Sequence, residues 1–145
     1  MLKTKNIGFL AILMMVTSIL TVAQERPYTP EAGTAERKAI MDALRVPIKK
    51  QLKKDVIFKI DALKVQNGWA FVRGVPKRPD GGPMDYRGTV YAANIQAGAF
   101  DDWFCALLKR RGDQWQGVQY SIGATDVVWE GWDKQYHAPS AIFRE

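Results

Sequence analysis

Three carboxylates are the residues of this sequence whose type and spacing best suit chemistry. Asp101 and Asp102 stand just ahead of an apolar run, and Asp126 follows the segment that would pair with it. If those segments are neighbouring strands, all three carboxylates fall at one end of a sheet. There they can bind a cation or serve as general acid or base in an apolar pocket. Each also has an ordinary structural use, Asp102 ending a strand and Asp126 lying in the first turn of a helix under its positive end. His137 is the single histidine and sits beside Ala138-Pro139, where a surface role is the default; a histidine metal cluster is excluded. Cys105 is the single cysteine, so no intramolecular disulfide forms, and its apolar neighbours predict a buried thiol acting as a small hydrophobe. No phosphate loop, zinc spacing or nucleophile elbow is present, and no cofactor or metal is expected.

Two other groups of side chains could bind rather than react. Lys49, Lys50, Lys53 and Lys54 form a dense basic run; on one helix face they would meet an anionic sugar or lipid, and otherwise they are a solvated face. The five tryptophans, with Trp69, Trp129, Trp132 and Tyr86 as the candidates for a ligand cleft, first have to be weighed as core. A cleft would lie near Pro76 to Asp85, a proline- and glycine-rich stretch that reads as an exposed loop.

The elements that must position these residues follow from local pattern. Thr34 is placed to cap a helix over Ala35 to Arg45, with Ile40, Met41 and Leu44 on one face. Pro47 is expected to end or kink it, with a short turn to Leu52. Val56, Phe58 and Ile60 alternate as a strand that continues through Leu63 and Val65 after an irregularity. Asn67-Gly68 then predicts a type I′ hairpin turn, because both residues accept positive φ. The returning strand places Trp69, Phe71 and Val75 opposite Ala70 and Val72. Arg87 to Tyr91 reads as strand, although Val90 to Ile95 also suits a short helix. A second hairpin runs from Asp102 to Ile122 about the turn Arg111-Gly112-Asp113-Gln114. Thr125 to Tyr136 reads as a short helix, with a strand continued to Trp129 as the alternative. The sum is an α+β domain: one N-terminal helix on a curved antiparallel sheet of about four strands, with a short C-terminal helix.

The first residues belong to a different class. Lys3 and Lys5 precede an apolar run from Ile7 to Leu20, and Thr21-Val22-Ala23 offers small residues for cleavage, so residues 1–23 read as a signal peptide. An uncleaved anchor is the alternative, although the run is short of the ~20 residues of a spanning helix. Residues 24–33 form an extended lead-in and 34–145 a single domain. Cleavage would lower the net charge by two from +6, leaving a mildly basic surface. The protein is expected in the periplasm or secreted, not integral to the membrane after cleavage.

Taken together, Glu36 to Arg45, Gly68 to Val72, Phe100-Asp101-Asp102 and Gly123 to Trp129 resemble a family of small exported bacterial proteins of unknown function. The layout also resembles, at the level of fold, the cystatin-like and nuclear-transport-factor-like rolls, scaffolds that host enzymes and binding modules alike. The resemblance implies export and no particular activity. Two readings follow: a non-enzymatic binding module whose partner is an envelope protein, glycan or lipid, and a small hydrolase or isomerase using one of the aspartates. Nucleic acid is not an expected partner. Exposed aspartates with buried tryptophans would favour the first, and a carboxylate inside a deep aromatic cavity the second.

Overall fold

The computed structural model describes residues 25–144, and the expected signal peptide therefore lies outside the described residues. Helix α1 spans Ala35–Leu52, opened by Thr34, whose hydroxyl accepts the Arg37 N–H at 3.3 Å. Of the end or kink expected at Pro47, the end does not occur; Pro47 sits inside the helix, which runs on to Leu52. An interior proline costs about 3 kcal/mol in lost hydrogen bonding and crowding. The opposing term is the stripe Ile40, Leu44, Ile48 and Leu52, spaced four apart and buried to 1% exposure or less. Ending the helix at Arg45 would leave Ile48 and Leu52 without their place on the sheet, and each is worth roughly 1.5–3 kcal/mol when buried. Burial wins.

Strands β1 (Ile57–Gln66) and β2 (Trp69–Lys77) form the first hairpin, with Asn67 at φ 49° and Gly68 at φ 72° as the turn requires. The irregularity foreseen in β1 is a register shift between Ile60 and Ala62. Gly74 faces it at such close range that a Cβ there would lie 2.2 Å from the Lys59 carbonyl oxygen. Pro76 lies in β2 rather than in the following loop, paired with Phe58. Its missing N–H is harmless because the pairing of β2 with the next strand ends at Gly74.

Strands β3 (Phe104–Arg111) and β4 (Gln114–Ile122) form the second hairpin, and the open sheet has the antiparallel order β1-β2-β3-β4. Phe104 through Leu108 are buried consecutively. Such a run has both faces covered. On one side α1 packs over Leu63, Val65, Ala70, Val72, Ala106 and Leu108. On the other, Trp69, Phe71, Cys105 and Leu107 meet Trp132, Ala138 and Ile142 from the C-terminal segment.

Two local expectations are corrected. Residues 87–91 are turns, not strand: Gly88 has φ 72°, the Thr89 hydroxyl donates to the Tyr86 carbonyl at 2.6 Å, and helix α2 (Ala92–Gln96) follows. The helix expected from Thr125 is only α3 (Trp132–Tyr136), because Gly131 at φ 83° interrupts any earlier start; a 3₁₀ turn, Ser140–Phe143, closes the chain. The lead-in is extended and joins the β1 edge, Tyr28 and Val65 exchanging backbone hydrogen bonds of 2.9 and 2.7 Å. No helix among the described residues is long and apolar enough to cross a membrane.

Ile48→Ala is expected to lower stability by about 2–5 kcal/mol, as a large-to-small change in a core does. Gly74→Ala should cost about 1–3 kcal/mol through the clash with Lys59. Urea denaturation of each variant checks both values, and an unchanged midpoint for Ile48→Ala would mean that α1 does not continue past Pro47.

Candidate functional site

Asp101, Asp102 and Asp126 are all exposed. The Asp101 N–H donates to the Gly123 carbonyl at 3.3 Å, which sets the start of β3 beside the end of β4, three residues before Asp126. The carboxylates nevertheless do separate work. Asp102 accepts the Tyr86 hydroxyl at 2.5 Å, and Asp126 accepts the Val127 N–H at 2.7 Å in a turn rather than under a helix. Among the described residues no three acidic, histidine or cysteine side chains stand together as metal ligands. Tyr86 is buried, edge-on to Phe100 at 4.7 Å. Burial first, and the Asp102 carboxylate second, hold its hydroxyl well above the ordinary tyrosine pKa. The bond thus ties the excursion between β2 and β3 to the start of β3.

The lysine run does not present one helix face. Lys49 and Lys50 are in the last turn of α1, Lys53 is its left-handed cap and Lys54 lies beyond it. Lys49 pairs with Asp55 at 2.5 Å. Lys54 donates to the carbonyls of Asp85 and Arg87 at 2.5 and 2.9 Å, fastening the loop after β2 to the end of α1. Lys50 and Lys53 are exposed. In the same loop the Asp85 carboxylate receives two bonds of 2.9 Å from the Arg87 guanidinium, which holds it far below the usual carboxylate range.

Trp69 and Trp132 are buried, and Trp115 belongs to the core under α1. Their role is packing: Trp132 meets Phe71 edge-on at 6.5 Å, and the Lys109 ammonium sits 4.6 Å above Trp69. Trp129 is the partly exposed candidate, with Phe71 at 5.4 Å, Trp103 at 5.6 Å and the Arg73 guanidinium over its ring at 5.2 Å. His137 is exposed. Cys105 is fully buried, and that burial pushes its thiol up to about 12, far from a reactive thiolate.

Sequence reasoning missed the cleft at Phe143. It lies between the outer face of β1–β2 and the closing 3₁₀ turn, holds about 380 Å³, and is floored by Ala62, Phe71, Ile142 and Phe143. Lys64, Arg73, Arg144 and Asp61 also line it. Phe143 and Arg144 separate it from a second cleft of about 430 Å³ that includes Trp129, Glu130 and Asp133. The first has the size and the apolar floor of small-ligand sites, whose volumes run roughly 300–1,000 Å³. Pairing of Lys64 with Phe71 across β1 and β2 brings charge and ring together, and Thr29 of the lead-in and the distant tail close the space.

No protein-family model, no curated protein and no solved structure matches the chain. The fold and the clefts therefore carry the functional argument.

Two outcomes are expected here. Tyr86→Phe should lower stability by about 1 kcal/mol, the value of one hydrogen bond to a carboxylate that remains solvated once released; equal stability in urea would contradict the tie. Asp85 has a depressed folded-state pKa, so its stabilisation is present above the unfolded value of about 3.9 and is lost as pH falls below it. Asp85→Asn should consequently be less stable than the wild type at pH 7, with the difference shrinking toward pH 2. A difference independent of pH would refute that assignment.

Proposed function

We propose that this chain is a non-enzymatic binding module of the bacterial envelope, exported by its N-terminal segment, with its ligand site in the cleft between β1–β2 and the closing 3₁₀ turn. The resemblance to small exported bacterial proteins, and at the level of fold to cystatin-like and nuclear-transport-factor-like rolls, belongs to this reading. The observation that carries it is the distribution of the candidates: Asp101, Asp102 and Asp126 are exposed, while Trp69, Trp115 and Trp132 are buried. Acid–base catalysis gains from a carboxylate held in a dry pocket, and these three are in water. The cleft at Phe143 offers instead what a binding site needs, apolar rings with charged groups at the margin. An envelope glycan, a lipid or a segment of another envelope protein fits that description.

A thermal-shift series with envelope glycans, phospholipids and divalent cations tests the proposal. A ligand at about a hundred times its dissociation constant adds roughly 2.7 kcal/mol, several degrees for a domain of this size. Lys64→Glu and Phe143→Ala are expected to abolish the shift, and Asp102→Asn to retain it. The reverse pattern, a shift lost with Asp102→Asn or Asp126→Asn and kept by the cleft variants, would instead support a hydrolase or isomerase built on the aspartates.

A further inference from the structure

Two stretches, Gly88 to Phe100 and Gln114 to Thr125, contain no Asp, Glu, Lys, Arg or His, although 25% of the sequence is charged. The fold brings them together. Tyr91 and Phe100 from the first stretch pack against the same core as Tyr120 of β4, and Phe100 lies so close to Gly123 that a Cβ there would meet its ring at 2.1 Å. Val90 and Ile95 of the first stretch stand exposed, at 67% and 41%.

The two edges of the sheet differ in kind. The β1 edge carries Lys59, Asp61 and Lys64 and is joined by the lead-in at Tyr28. Charge and cover are the ordinary protections against edge pairing. β4 has neither charge nor proline, and among the described residues its backbone is hydrogen-bonded to no element but β3. The Tyr120 N–H is taken by the Gln119 side-chain oxygen at 3.1 Å, so this amide lies outside the β3 ladder and is held by a replaceable neighbour. Val118 has no partner where the register shifts opposite Leu107 and Leu108. That bulge divides the edge, and Gln119 to Ile122 is the half beside the uncharged excursion.

We propose that a second copy of this chain pairs with the first, antiparallel, through Gln119 to Ile122, with the Gly88 to Phe100 excursions of the two copies flanking the join. The net charge is +6 for the full chain and two lower after the expected cleavage, so copies of this chain repel one another overall. The uncharged edge is where two copies meet without like charges opposed, which would destabilise cross-strand pairs. An edge paired with itself about a two-fold axis closes at two copies. A bilayer is a poorer fit, since surface-seeking segments carry basic residues around their apolar side chains and these stretches have none.

Sedimentation of the full chain as an expressing cell produces it, over about a hundredfold range of concentration, tests the pairing. The wild type should dissociate from dimer to monomer on dilution, and Gln119→Lys and Val90→Lys should each raise the dissociation constant by about tenfold or more with circular dichroism unchanged. Hydrogen exchange on the wild type should show Tyr120 gaining protection as concentration rises. A monomer throughout the range overturns the proposal, as does a dimer indifferent to both lysines with Tyr120 exchange independent of concentration. Co-sedimentation with anionic vesicles in place of a dimer would assign the surface to a membrane and equally overturn it.

Discussion

Everything in this fold depends on strands β2 and β3 being apolar on both faces. Phe71 and Leu107 point one way while Val72, Ala106 and Leu108 point the other, and all are buried to 3% exposure or less. A sheet of this kind has to be covered twice. Helix α1 supplies one cover with four aliphatic side chains in a single stripe, strong enough to carry the helix through Pro47. The C-terminal segment supplies the other with rings: Trp129, Trp132 and Phe143 all converge on Phe71. Both faces of the central strands are thus packed against other elements. Clefts remain where irregular chain meets the sheet: at the seam of the second cover with β1 and β2, and beside the loop after β2, where Met84 and Asp85 line two others, one of which includes Tyr86.

Much of this frame was legible in the sequence because its signals are local. Asn67-Gly68 specifies its turn by the φ angles those residues tolerate, and the break in alternation after Ile60 marked the register shift in β1. Opposite placement of Trp69 and Phe71 from Ala70 and Val72 followed from the two-residue period alone. Failures came where tertiary packing or a single glycine outweighed local propensity. At Pro47 the sequence leaves an end or a kink equally open, because the buried places of Ile48 and Leu52 are not visible locally. Between Thr125 and Tyr136 the pattern suits helix or a continued strand, and it does not show that Gly131 takes the left-handed conformation from which α3 begins. Arg87 to Tyr91 looked like strand by composition, yet Thr89 turns the backbone onto Tyr86.

The site was less legible than the fold. Residue type drew attention to the aspartates, the lysine run and the tryptophans, and most of these hold structure together: Asp102 holds Tyr86, Lys54 holds the loop after β2, and Trp132 holds the tail. The cleft at Phe143 has no linear signature, because its walls are brought together by strand register on one side and by the last residues of the chain on the other. An open edge at β4 could have been noticed, since the two uncharged stretches are plain in the sequence, but their adjacency is a product of the fold.

The most direct test of the account is a map of amide chemical shifts on titration with fractionated envelope glycans and lipids. Perturbations gathered at Lys64, Phe71, Phe143 and Arg144 are the predicted result, since the seam beside the second cover combines an apolar floor with charged groups at its margin. Perturbations gathered instead around Asp101, Asp102 and Asp126, with the Phe143 seam silent, would contradict it.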